Sequence, residues 1–227
     1  MNWHHKRSAT LITGQSGSGK STLFLARLTS YAAAWKLVFD AEGEAAHKLR
    51  VPAVKTVAGL VNAVAAQRLI VFDPSELFRR RLPEGFDFFC QWAWHVSEAL
   101  PGVKLLACDE IKRFLPPGRP IGPGLRDVMD TGRRRGLDVL FATHTLGCVN
   151  WEVRGQLTDV VTFRQSDGLP LEWLESPEIG IPRSEVIALP VPGGYIHKNL
   201  LTGDSKTYAP DTTRKHRAHP ALARKKA

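Results

Sequence analysis

Cysteine is scarce in this chain and is not arranged for chemistry. Cys90, Cys108 and Cys148 are odd in number and lack metal-type spacing, so neither a zinc site nor a disulfide framework is implied, and a reducing compartment is the natural reading. A long apolar run is also missing. The most apolar stretch, Val57 to Phe72, is interrupted by Asn62, Gln67 and Arg68, so no membrane span is expected. The opening MNWHHKRS carries charge with no apolar segment behind it, so neither a signal peptide nor secretion is expected. No internal repeat and no compositional break divides the sequence. Its 227 residues suffice for one α/β domain over residues 1–209, followed by a basic tail over 210–227.

Charge is plentiful but uneven. The chain has a formal net charge of +9. From residue 211 onward, Arg214, Lys215, Arg217, Arg224, Lys225 and Lys226 stand against Asp211 alone, so +5 of that excess sits in the tail. The tail has no aromatic residue to bury, a composition expected to stay unfolded and to attract polyanions such as nucleic acid. Arg79, Arg80 and Arg81 form a second basic run, either a solvated face or a phosphate contact.

The most informative stretch is GQSGSGKST. Gly14, Gln15, Ser16, Gly17, Ser18, Gly19, Lys20, Ser21 and Thr22 fit the pattern G-x-x-x-x-G-K-[ST] at every fixed position. A backbone that turns its N–H groups onto a polyphosphate needs glycines, which tolerate positive φ and bring no side chain against the anion. Lys20 then reaches the β- and γ-phosphates of ATP, and Ser21 can ligate Mg²⁺. The flanks agree: Ala9 to Thr13 reads as a strand and Ser21 to Ala34 as a helix whose dipole faces the phosphates.

Further apolar runs follow: Lys36 to Asp40, Leu69 to Phe72, Val103 to Cys108, Leu137 to Ala142 and Val160 to Phe163, each a candidate parallel strand. Ala45 to Ala66 mixes helical and extended pieces. Phe86 to Leu100 reads as an amphipathic helix burying Phe88, Trp92 and His95. The strand ending at Cys108 delivers Asp109 and Glu110, of which the Asp suits a Mg²⁺ shell and the Glu can polarise an attacking water. Pro116 to Gly124 reads as a loop, and Leu125 to Arg135 as a helix closed by Gly136. Thr143, His144 and Thr145 fall at a strand's carboxyl end, where such sheets hold ligands. Glu185 to Leu189, Tyr195 to Leu200 and Ser205 to Tyr208 look like short strands of a small β-appendage. The expected fold class is therefore α/β, a P-loop NTPase with a mainly parallel sheet flanked by helices.

In motif order, Thr10 to Phe163 resembles the HerA/FtsK group of RecA-like (ASCE) P-loop translocases, and within it the genome-packaging ATPases of membrane-containing, tectivirus-like phages. The phosphate loop and Asp109-Glu110 are shared with many ATPases. More particular are Asp40-x-x-Gly43-Glu44 after the second strand and R-x-x-G at Arg133 to Gly136. His144 stands where the family carries Gln, and a neutral imidazole can still hydrogen-bond a phosphate or water. The resemblance implies ATP hydrolysis coupled to double-stranded DNA translocation into a capsid, with Arg133 reaching a neighbouring subunit's ATP. It also implies a ring of identical subunits, expected as a hexamer. Capsid-vertex or virion membrane proteins would be further partners, and the infected cell's cytoplasm or the virion the location. The zonular occludens toxin type of assembly ATPase, a small-molecule kinase and a non-hydrolysing nucleotide-binding module remain alternatives.

Overall fold

The computed structural model describes residues 6–115, 120–144, 149–166 and 168–210. Thr145, Cys148, the first half of the Pro-rich segment and all of the basic tail after Pro210 lie outside them. The elements in chain order are β1 (Ala9–Thr13), α1 (Lys20–Ser30), β2 (Trp35–Phe39), α2 (Glu44–Leu49), β3 (Ala53–Val54), α3 (Val57–Ala66) and β4 (Leu69–Phe72). They continue with α4 (Leu82–Ala99), β5 (Lys104–Cys108), α5 (Pro123–Thr131), β6 (Leu137–Thr143), α6 (Trp151–Arg154) and β7 (Asp159–Phe163). Last come α7 (Gly168–Glu175), α8 (Arg183–Ala188), β8 (Tyr195–Asn199) and β9 (Ser205–Tyr208).

All the described strands form one nine-stranded sheet in the order β3-β4-β2-β5-β6-β1-β7-β8-β9. The first seven in that order are parallel, and β8 and β9 run antiparallel at the edge. The carboxyl-terminal hairpin thus continues the sheet rather than standing apart from it. Both sheet faces are covered, as an apolar parallel sheet requires. Strand alternation sorts the side chains: Leu37, Phe39, Leu106, Cys108, Val139 and Phe141 belong to one core, whereas Val38, Leu105, Ala107, Leu140 and Ala142 belong to the other, with Phe24 and Leu28 of α1.

The first core is aromatic. Phe39 meets Phe86 edge-on at 5.2 Å and Phe114 at 4.9 Å, and Phe72 stacks on Phe89 at 5.3 Å. Cutting Phe39 back to Ala would cost about 3–5 kcal/mol through the cavity left behind. The buried stripe of α4 runs through Phe86, Phe89, Cys90, Ala93 and Ser97, so Phe88 and Trp92 flank it and His95 is exposed, contrary to expectation.

Three other stretches also depart from expectation. Helix α1 stops at Ser30 because Tyr31 turns extended and its hydroxyl donates to Asp138 Oδ2 at 2.7 Å. Pro123 and Gly124 are helical, since proline is tolerated in a first turn where its missing N–H has no partner to lose. The stretch from Glu185 to Leu189 lies mainly in helix α8, which buries Val186 alone, too short a pattern for periodicity to separate helix from strand.

Candidate active site

The carboxyl ends of β2, β5 and β6 and the first turns of α1 meet over one cleft of about 350 Å³, whose lining includes Ser21, Asp40, Asp109, Glu110 and His144. Strand β1 has β6 on one side and β7 on the other, so β6 separates it from β5 and the Asp109-Glu110 pair. The loop between β1 and α1 is shaped by close approach: a Cβ on Gly14 would lie 2.6 Å from Phe163 Cβ and 2.8 Å from Ser18 Oγ. Gly17 and Gly19 hold φ of +75° and +103°, a region L side chains rarely adopt.

Two observations fit this loop to a polyphosphate. Ser18 Oγ is buried without a hydrogen-bond partner, and an orphaned buried hydroxyl is costly unless a ligand satisfies it. Helix α1 has Gly19 as its N-cap, with no side-chain cap and no acid in its first turn, leaving its N–H groups and dipole for an anion. Gln15 is held by its N–H to Arg164 O at 3.1 Å, while Ser16 and Thr22 are exposed. Ser21 and Asp109 share the cleft and could hold Mg²⁺, which needs only one or two protein oxygens beside phosphates.

Lys20 is only 3% exposed. Burial pushes its ammonium pKa down from the usual lysine range, and the nearby Asp109 and Glu110 carboxylates oppose that shift. Its Nζ lies 3.4 Å from His144 Nε2, and the same nitrogen lies 3.1 Å from Glu110 Oε2. One imidazole nitrogen cannot serve both in one state: with its proton it donates to Glu110, and without it accepts from Lys20. The remaining carboxylate oxygen, Oε1, accepts from the His144 N–H at 3.2 Å and the Thr143 hydroxyl at 3.3 Å. Asp109 Oδ1 accepts from the Glu110 N–H at 2.9 Å. Glu110 itself sits in the left-handed region, with φ of +54°.

The structure thus brings Lys20, Ser21, Asp109, Glu110 and His144 together, and it leaves Arg133 out. Arg133 precedes β6, whose seven residues span about 20 Å to the cleft. Arg133 and Arg134 are exposed there. Arg135 is already engaged: its guanidinium lies 3.4 Å over the Trp94 ring, donates to Trp94 O at 2.9 Å and pairs with Glu98 at 3.0 Å. The D-x-x-G-E segment has a local role that spacing did not reveal: Asp40 Oδ2 accepts from the Ala46 N–H at 2.8 Å, and Gly43 opens α2 at φ of +73°.

Strand order, phosphate loop and acid-bearing β5 define a P-loop NTPase fold with one strand inserted between the loop strand and the acid strand. No protein-family profile matches the chain, and no curated protein matches it by sequence. Solved structures do. B204, the DNA-packaging ATPase from Sulfolobus turreted icosahedral virus, matches with a TM-score of 0.67 at 17% identity, over 89% of this chain and 97% of that one. B204, the genome packaging NTPase from Sulfolobus turreted icosahedral virus 2, in complex with AMPPCP, gives 0.65 at 16% identity over 89% and 97%. TcpA, the pCW3 conjugation coupling protein, matches at 0.54 and 12% identity over 89% of this chain and 60% of its own. The likeness is one of fold, and it agrees with the resemblance read from the motifs.

Proposed function

We propose that this chain hydrolyses ATP to drive double-stranded DNA through a ring of its own copies, as a viral genome-packaging motor. The observation that carries the hydrolytic part is the relay in which His144 Nε2 stands 3.4 Å from Lys20 Nζ and 3.1 Å from Glu110 Oε2. It sets a base beside the phosphate lysine. The packaging part rests on the fold shared with the two B204 proteins over nearly their whole length.

In this reading the backbone of Gly14 to Thr22 cradles the triphosphate and Lys20 neutralises its β- and γ-oxygens. Ser21 and Asp109 would hold Mg²⁺, which would supply charge neutralisation to the phosphates. Glu110 takes the proton from a water whose oxygen bonds the γ-phosphorus as the bond to the β-phosphate's bridging oxygen breaks, giving ADP and phosphate. Lys20 is drawn to phosphate when ATP enters, and His144 is then free to report the γ-phosphate to β6. Arg133 serves the next subunit's ATP, because its own site is a strand's length away. Double-stranded DNA and the neighbouring copies are the partners.

The deciding experiment measures ATP turnover by the purified chain with and without double-stranded DNA. Stimulation by DNA supports a motor. DNA-independent turnover, or transfer of the γ-phosphate to a small acceptor, would replace it with a simple hydrolase or a kinase, and binding without turnover with a nucleotide-holding module.

A further inference from the structure

The turn that leads into the last hairpin touches the phosphate loop, and the hydrolytic chemistry makes no use of it. Gly193 donates its N–H to Ser18 O at 2.9 Å, and a Cβ on Gly19 would lie 3.4 Å from Gly193 N. The turn is rigid. Gly194 N–H closes it onto Pro190 O at 3.1 Å, Gly193 holds φ of +102°, and a Cβ on Gly194 would strike Pro190 Cδ at 2.5 Å. Buried Leu189 and Ile196 root it in the core on either side. Between those roots the turn exposes three consecutive apolar residues, Pro190, Val191 and Pro192, with Val191 42% exposed. What sets this apolar surface apart is its place, on a turn hydrogen-bonded directly to the phosphate loop.

The geometry of the phosphate site says which ligand. Lys20 points at His144 on the β6 side of β1, which fixes that side for the terminal phosphate. The other neighbour of β1 is β7, and the turn stands on that side because β8, into which it runs, pairs with β7. A nucleoside triphosphate seated with its γ-phosphate at Lys20 therefore sends its nucleoside away from β6, toward the turn. The contact between Gly193 and the loop puts the turn within one nucleoside's length.

We propose that the turn from Pro190 to Gly194 is the nucleobase platform of this site, with Val191 lying against the face of a planar heteroaromatic base. This rests on the proposed nucleotide site and adds to it the part of the chain that distinguishes a nucleotide from a bare polyphosphate. An apolar platform acts through the area it covers. Phosphate binding by Lys20 and the loop is separate from it.

Isothermal titration of the full chain with Mg·ATP and with inorganic tripolyphosphate, for wild type, Val191→Asn and Val191→Ile, tests the assignment. Wild type should bind ATP more tightly than tripolyphosphate. Val191→Asn should weaken ATP by about five- to tenfold, the effect of uncovering one apolar side chain, and leave tripolyphosphate unchanged. Val191→Ile should retain the wild-type preference. Thermal melting checks that the exposed substitutions leave the fold intact. Equal loss of both ligands in Val191→Asn would make the turn only a buttress of the phosphate loop. Unchanged ATP affinity, or equal wild-type affinity for the two ligands, would remove the platform. Failure of wild type to bind either ligand would instead overturn the nucleotide reading, and the platform with it.

Discussion

Replacing Glu110 with Gln isolates the proposed base from everything else in the site. The side chain is 16% exposed and accepts from the His144 N–H at 3.2 Å, the Thr143 hydroxyl at 3.3 Å and His144 Nε2 at 3.1 Å. A Gln oxygen at the Oε1 position can keep the first two. Its NH₂ group at the Oε2 position would face His144 Nε2, which then presents its lone pair and moves the ring proton to Nδ1. The network survives by a change of tautomer, so the stability cost is that of exchanging charge-assisted for neutral hydrogen bonds, about 1 kcal/mol. The basicity does not survive. Loss of a positioned general base lowers the chemical step by about 10²- to 10⁴-fold. Single-turnover hydrolysis at saturating ATP should fall by that factor, while the ATP dissociation constant from calorimetry stays within a few-fold of wild type. Glu110→Asp keeps the basicity but withdraws it by one methylene, and a misplacement of ~1 Å alone can cost ~10²-fold. A Glu110→Gln protein that turns over ATP within tenfold of wild type would refute the assignment, because the geometry leaves Gln able to do everything there except take a proton.

Three further outcomes are expected. Lys20→Ala should bind ATP at least ~10²-fold more weakly and show no turnover, with an unchanged circular dichroism melt, since removing a cation buried near two carboxylates does not touch either core. Arg133→Ala and Glu110→Gln subunits, each inactive alone, should regain activity when mixed, wherever an intact Arg133 faces an intact Glu110; an arginine finger is worth ~10³-fold or more, so even partial mixing is readable in a turnover assay. Full activity of Arg133→Ala alone would take that residue out of the reaction. Deleting Thr212 to Ala227 removes six basic residues, and if they neutralise DNA phosphates the log–log salt slope of DNA binding should flatten by about 0.9 for each phosphate left unneutralised, with ATP binding untouched.

What was legible in the sequence was what local chemistry dictates. The loop from Gly14 to Ser21 announces itself because its φ values and close approaches favour glycine, and the acids after β5 because an apolar run ends there in adjacent Asp and Glu. That β6 separates β1 from β5 is a matter of sheet order, which spacing along the chain does not carry. Tertiary choices were hidden. Among three consecutive arginines, only packing reveals that Arg135 is spent on Trp94 and Glu98. Nor does the sequence disclose that Asp40 caps α2, because capping and catalysis call for the same carboxylate. The region after Phe163 was least readable: its short apolar pieces suit helix or strand equally, and the Pro-Gly-Gly turn acquires meaning only when the chain folds back onto Ser18, far away in sequence.

The left-handed backbone at Glu110 sets function against stability at a single position. A non-glycine residue there carries roughly 1–2 kcal/mol of conformational strain, which Gly would relieve entirely and Asn in part. That relief is set against the hydrogen bonds that Glu110 accepts from the His144 N–H and the buried Thr143 hydroxyl, which Gly would leave without that partner. If Glu110 is the proposed base, the strained turn and those hydrogen bonds together hold its carboxylate at one place over the cleft.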